Sequence, residues 1–256
     1  MAEDSKIAWT THTFNPVMGC TKISPGCTNC YAETLTKNRM GLSLWGPKGG
    51  RQVTSPANWR KPVKWNRDAE KAGTRVRVFC ASLCDVFEDH PALNATRPRL
   101  WELVRSTPWL DWQILTKRAE RIANNLPADW GKGWSNVWLG VSIENNDYVA
   151  RADHLRKIPA VVRFVSYEPA LGPLDQLKLD GLHWVIYGGE SGPGFRPEDK
   201  QWARDMKGRC ERAGIAFFHK QSAAFRTEIG IELDGQIVRE YPRIALPEVR
   251  QLPFVP

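Results

Sequence analysis

Long apolar runs are missing from this 256-residue chain. Its most apolar stretches, such as Ile114–Leu115 and Trp184–Tyr187, fall far short of the roughly 18 residues a membrane span needs. The first residues, Met1–Lys6, are polar and acidic and contain no apolar signal core, so a cytoplasmic location with no membrane contact is expected. Acidic excess is missing too. The 36 Lys and Arg outnumber 28 Asp and Glu, for a net charge of +8 and a pI near 9.3. Internal repeats and low-complexity tracts are not seen. Disorder is excluded, because 42% of the residues are hydrophobic and 10% aromatic. One compact domain of about this length buries roughly three quarters of its unfolded surface and needs no disulfide staple. In a reducing compartment the 6 cysteines therefore need another explanation.

The basic residues are spread over Arg51–Arg77, Arg97–Arg121 and Arg204–Arg212. Trp45, Trp59 and Trp65 sit among Arg51, Arg60, Lys61, Lys64 and Arg67. Aromatics interleaved with basic groups can stack bases and hold phosphates. The same pattern also suits a solvated basic surface with tryptophan anchors beneath it.

Short β-rich runs alternate with helical segments. Strands are predicted at Val76–Ser82, Trp112–Thr116, Val137–Ile143, Val162–Ser166, His183–Gly188 and Ile215–His219. Helices are predicted at Asn94–Arg105, Lys117–Asn125, Asn146–Lys157 and Trp202–Ala213. This alternation implies an α/β fold with a mostly parallel sheet, best matched at this length by a whole or partial (β/α) barrel. A doubly wound open sheet is the alternative. The expected organisation is a single domain over residues 1–226 with a Trp-rich basic insertion at about 40–73, read as a lid or substrate-binding element. A hairpin or extended tail follows over 227–256, with Asp234-Gly235 as its turn signal. Polar residues gather where the strands end: Ser82, Asp85, Thr116, Lys117, Ser142, Glu144, Ser166, Glu168, Gly188, Gly189 and Glu190. In parallel α/β folds that edge carries the active site. Some of these residues would equally serve as loop polarity or helix caps.

Cys20, Cys27 and Cys30 form a C-x6-C-x2-C pattern in a loop broken by Pro25 and Gly26. Three thiolates in one loop can converge on a soft metal. Zinc would require a fourth ligand, for which His12, Cys80, Cys84 and Cys210 are candidates. An iron–sulfur cluster held by three cysteines would instead leave one iron open to a small molecule. The spacing alone does not choose between them. Cys80 lies inside a predicted strand and Cys210 on a predicted helix, both suited to packing.

The surrounding residues carry a resemblance. Phe14-Asn15-Pro16-Val17-Met18-Gly19-Cys20 and Cys27-Thr28-Asn29-Cys30-Tyr31-Ala32 resemble the cluster loop of radical S-adenosylmethionine enzymes, especially the spore-photoproduct-lyase-like branch, which repairs DNA. The usual C-x3-C-x2-C core is lengthened here by three residues between Cys20 and Cys27. Ala81–Glu88 and Ile114–Lys117 are similar to that branch's second-strand and third-strand segments. Gly188-Gly189-Glu190 is similar to its Gly-Gly-Glu element, although it follows a late strand here. As a whole, the chain resembles the phage-associated three-Cys-motif family of radical-SAM-like proteins. Trp9, Ser166-Tyr167-Glu168-Pro169, Trp184–Gly192 and Lys220-Gln221 extend that likeness over most of residues 7–221.

The resemblance implies a [4Fe-4S] cluster on Cys20, Cys27 and Cys30 and reductive cleavage of S-adenosylmethionine to a 5′-deoxyadenosyl radical. An electron donor such as flavodoxin or ferredoxin is implied, and so is a partner protein of the three-Cys-motif system. It also implies cofactor contacts at Tyr31, Ser82, Thr116, Ser142, Glu168, Gly188, Gly189 and Glu190. Glu190 or Glu168 would take the cofactor's ammonium group. Asp85 would take a ribose hydroxyl or a substrate, and Lys117 the cofactor carboxylate or a substrate phosphate. Cys84 would donate a hydrogen atom, or else be a packed thiol. The expected activity is a lyase or nucleic-acid-modifying reaction on DNA, RNA or a nucleotide. The alternative is a zinc-binding or non-catalytic iron–sulfur protein of phage origin that binds nucleic acid.

Overall fold

The computed structural model describes residues 3–244. Among these residues there are nine strands: β1 His12–Phe14, β2 Val17–Met18, β3 Gln52–Val53, β4 Val76–Cys80, β5 Leu110–Thr116, β6 Val137–Ser142, β7 Val162–Tyr167, β8 Trp184–Gly188 and β9 Ala216–Gln221. The main helices are α1 Tyr31–Thr34, α2 Pro56–Ala72, α3 Pro91–Arg105, α4 Ala150–Arg156 and α5 Lys200–Ala213. Seven strands form one sheet in the order β1-β4-β5-β6-β7-β8-β9, and every neighbouring pair is parallel. The order follows the chain without reversal, so the sheet is singly wound. A doubly wound sheet would reverse at a switch point. The sheet curls into a half-barrel, as expected for a partial (β/α) barrel.

The period-2 geometry of the strands separates two faces. Val78, Trp112, Ile114, Leu139, Val141, Val165, Tyr167, Val185, Tyr187 and Phe217 belong to one core, together with Trp59 and Trp65 of α2, Leu100 of α3, Leu155 of α4 and Met206 of α5. The alternate positions Phe79, Trp138, Phe164, Trp184, Ile186 and Phe218 pack with Trp9 in a second core on the other face. Gly140 permits this packing, because a Cβ there would lie 2.3 Å from the Phe164 ring. The second core fills the N-terminal half of that face. Further along the same parity come Lys117, Ser142, Ser166, Glu168, Gly188 and Lys220. All strands run the same way, so these residues share one edge.

Three predicted elements differ from those observed. Residues 56–72, read as part of an insertion, form α2 and cross over to β4 like any barrel helix. Ser55 caps its N-terminus by accepting the Asn58 N–H, and Gly73 ends it at φ +62°. Trp59 and Trp65 are buried, at 4% and 2% exposure, and Trp45 donates its indole N–H to Thr36 Oγ1 at 2.6 Å. Of the two readings of this Trp-rich stretch, anchoring is the one observed at Trp59 and Trp65. The helix expected over 117–125 is replaced by two short 3-10 turns, Ala119–Arg121 and Ala123–Asn125. Arg118 leaves helical space at φ −111°, ψ 56°, with its N–H given to Thr116 Oγ1 at 2.8 Å. The predicted helix at 146–157 begins as a 3-10 turn and becomes α4 only at Ala150.

At the C-terminal end, Asp234 and Gly235 turn with φ of 53° and 76° beneath an antiparallel bridge between Leu233 and Gln236. The following residues lie along the β9 edge, with His219 N bonded to Val238 O at 2.8 Å and Glu240 N to Phe217 O at 3.0 Å. This covers an edge strand that would otherwise be open. The rest of the tail expected over 227–256, residues 245–256, lies outside the described residues. Among the described residues no helix is long and apolar enough to cross a membrane.

Candidate functional site

The cysteine loop leaves β2 through Gly19, whose φ of +108° suits glycine alone. A Cβ there would also meet Leu44 O at 2.5 Å. The loop crosses the C-terminal edge of the sheet and ends at Cys30, which caps α1. Four strand ends hold it there. After β4, Glu88 Oε1 accepts the Thr21 N–H at 2.9 Å. After β5, Arg118 donates to Thr21 O at 2.9 Å and to Cys20 Sγ at 3.7 Å. After β6, Glu144 Oε1 accepts from Ser24 Oγ at 2.6 Å. After β8, Glu190 Oε2 accepts from Asn29 Nδ2 at 3.0 Å, and Arg196 donates to Pro25 O at 3.0 Å.

Beneath Cys20 lies a buried ion network. Asp85 accepts from Thr116 Oγ1 at 2.7 Å, from Lys117 N at 3.2 Å and from Arg118 Nη1 at 2.9 Å. Glu88 takes Arg51 at 2.8 Å through both oxygens and Arg118 at 3.4 Å. Arg51 also donates to the carbonyls of Leu44, Gly49 and Gly50 at 2.9 Å, so the 44–51 turn backs the cysteine loop. Burial pushes the Glu88 carboxyl up, but hydrogen bonds from Arg51 and Thr21 outweigh it and hold the group below its ordinary value. Burial, with Asp85 adding to it, pushes the Cys20 thiol up to about 12.

Along the inner face, Glu144 is fully buried. It binds Arg151 at 2.7 Å, with Lys117 Nζ 3.7 Å away. Glu168 pairs with Lys220 at 2.8 Å and accepts from Ser166 Oγ at 3.2 Å. Gly188 makes room for that pair, since a Cβ would sit 2.6 Å from Glu168 Oε1. Gly189 is equally confined, with Ala223 N 2.1 Å from its would-be Cβ. Glu190 accepts Arg196 N and Nε at 2.9 Å each. Burial raises the Glu190 carboxyl, and the bonds from Arg196 and Asn29 bring it below its ordinary value.

Several residues singled out in the sequence therefore meet at this edge, but in different states. Asp85, Thr116 and Glu190 are engaged by the protein's own side chains. Tyr31 OH donates to Ser82 O at 3.0 Å, and Ser82 Oγ accepts from Asn15 at 3.0 Å. Lys117, Ser142, Glu168 and Gly188 line the inner face. Cys84 is 8% exposed within the main core, where burial, with Cys20 and Asp85 nearby, pushes its thiol well up. Cys80 and Cys210 are likewise core residues. His12 stacks on Trp65 at 4.4 Å and accepts the Asp4 N–H at 3.2 Å, so neither it nor those thiols adds to the loop as a fourth ligand. Among the described residues no three His, Cys, Asp or Glu side chains stand as a ready ligand set. The donor chemistry, three soft thiols in one loop, nevertheless fits an iron–sulfur centre.

Arg118 and Arg196 carry much of this site and are not singled out in the sequence; Arg51, Glu88 and Lys220 stand there only within longer segments, with no contact at this edge assigned to them. Their signal was slight. Arg118 and Lys220 each stand at a strand end, among the polar residues that gather there.

A family model, described as "Protein of unknown function (DUF5131)", matches residues 4–242. The chain belongs to this family. Comparison with curated proteins gives no match. Two solved structures of the same enzyme are similar to the chain. One is a spore photoproduct lyase complexed with dinucleoside spore photoproduct, 14% identical with a TM-score of 0.48. The other is a mutant of spore photoproduct lyase with bound AdoMet and dinucleoside spore photoproduct, 13% identical with a TM-score of 0.47. Each match covers 72% of this chain and 57% of the lyase chain, so this member of the family spans little more than half of that enzyme's length.

Proposed function

We propose that this protein is a radical S-adenosylmethionine enzyme with a [4Fe-4S] cluster on Cys20, Cys27 and Cys30. One observation carries the reading: a loop with three cysteines is fastened by four strand ends over the C-terminal edge of a singly wound parallel sheet. That is the functional edge of such folds. When bound, a reduced cluster and S-adenosylmethionine supply radical chemistry that side chains cannot.

The chain's own groups would bind, orient and enclose. Lys117 and Lys220 bring ammonium groups to the inner face, suited to a carboxylate or a phosphate. Glu168 brings a carboxylate suited to an ammonium group once its pair with Lys220 opens. The aromatic floor of Phe164, Trp184 and Phe218 closes the face from below and keeps water out. A nucleic-acid or nucleotide substrate, for repair or modification, agrees with the net charge of +8. The reducing electron would come from a flavodoxin- or ferredoxin-type donor in the cytoplasm.

Anaerobic reconstitution tests this. We expect brown protein with iron and sulfide near four per chain, from the cluster stoichiometry, and 5′-deoxyadenosine on adding reductant and S-adenosylmethionine. Colourless protein holding one zinc would overturn the reading. A second reading has one observation in its favour: Asp85 and Glu190 are already engaged internally, which leaves fewer groups for S-adenosylmethionine. Under that reading the cluster serves interaction without radical chemistry, and fully reconstituted protein forms no 5′-deoxyadenosine.

A further inference from the structure

We infer that Arg118 is a positioning residue for Cys20, and that its N–H donation raises the reduction potential of the centre held by the cysteine loop. The inference rests on the iron–sulfur reading above. Arg118 is 7% exposed. One arm of its guanidinium reaches Asp85 at 2.9 Å and Cys20 Sγ at 3.7 Å; the other reaches Thr21 O at 2.9 Å and Glu88 at 3.4 Å. Both carboxylates are fixed in turn, Asp85 by Thr116 at 2.7 Å and Glu88 by Arg51 at 2.8 Å. The guanidinium cannot swing from the sulfur without breaking a buried ion pair, which is strongly unfavourable. The two arginines and two carboxylates balance in charge, so the effect on Cys20 comes from a directed donor. Reduction adds negative charge at a cluster, and a hydrogen bond to a ligating sulfur stabilises the reduced form. The planar fork matters: a lysine ammonium at this position could not serve Asp85, Thr21 O and Cys20 Sγ together.

The test is a potentiometric titration with dithionite, one electron per cluster, of anaerobically reconstituted protein. Arg118→Gln leaves Asp85 buried without its partner and threatens folding. Arg118→Lys, and the double variant Arg118→Gln with Asp85→Asn, keep the charges balanced and are therefore compared as well. We expect a lower midpoint potential for the cluster that each balanced variant holds, read per iron bound, with Arg105→Gln, a surface control, unchanged. A balanced variant that holds full iron at the wild-type potential overturns the inference alone. Wild-type protein that takes up no iron overturns the cluster reading and the inference with it.

Discussion

Gly26 shows how closely the cysteine loop is fitted to the sheet edge. A Cβ there would stand 2.3 Å from Glu144 Oε1 and 2.6 Å from its Cγ, while the same carboxylate holds Ser24 and Arg151. Gly26→Ala should therefore push Glu144 off Ser24 and unseat the loop. We expect reconstituted iron in this variant to fall at least several-fold, with the melting temperature little changed. Iron equal to wild type would show that the close approach is incidental. Replacing Cys20, Cys27 or Cys30 singly with Ala should abolish the cluster, while Cys210→Ala, buried in α5, should leave it. Retained iron in all three loop variants would remove the ligand assignment. At this scale the thiols were legible because their spacing is local. The bonds that Arg196 and Asn29 give to Glu190 are not legible, because Asn29 lies 161 residues away in the chain. The pairing of Asp85 is illegible for the same reason: its buried partners Thr116 and Arg118 stand at the end of the next strand.

Elements were read better than their contacts. Strands such as β6 and β8 announce themselves as short β-branched and aromatic runs between turn residues. β1 did not, having only three residues, His12–Phe14, too few for a period to show. α2 was missed because Pro62 lies inside it and no strand signal precedes it. Its real signal is at the ends, Ser55-Pro56 and Gly73, with Trp59, Pro62, Trp65 and Ala69 on one buried face. Trp59 packs edge-on against Phe14 at 5.3 Å, with Arg99 4.1 Å above its ring. Trp59→Ala should cost about 3–5 kcal/mol, as large-to-small core changes do. Val63→Ala, on the exposed side of the same helix, should stay within about 0.5 kcal/mol. Urea melts of the two variants decide this. Equal losses would mean that α2 does not anchor through its tryptophans.

Over the whole molecule, the charge of +8 says less than its placement. Arg51, Arg118, Arg151 and Arg196 are spent on ion pairs that hold the cysteine loop and its supports. Histidine placement sets a further property, the acid limit of the fold. Burial lowers the affinity of His12, His183 and His219 for a proton. The geometry agrees. His183 Nδ1 accepts the Arg163 N–H at 3.0 Å, and His12 Nδ1 accepts the Asp4 N–H at 3.2 Å, so both need a free lone pair. His219 Nε2 stands 3.1 Å from Gly230 O, and among the described residues its buried Nδ1 has no partner. In the unfolded chain these imidazoles take protons near pH 6.5. The folded chain takes them only at lower pH, so unfolding is favoured as pH falls below that value, by up to about 1.4 kcal/mol per pH unit for each histidine. The depressed carboxylates Glu88 and Glu190 act in a separate window, below their unfolded value near 4.3. Urea melts at pH 7.5, 6.5 and 5.5 should show stability falling slightly over the first step and more steeply over the second. His219→Gln keeps a donor for Gly230 but cannot titrate, so its loss over the second step should be smaller than wild type's. An equal loss in both proteins would mean that His219 already titrates normally in the fold.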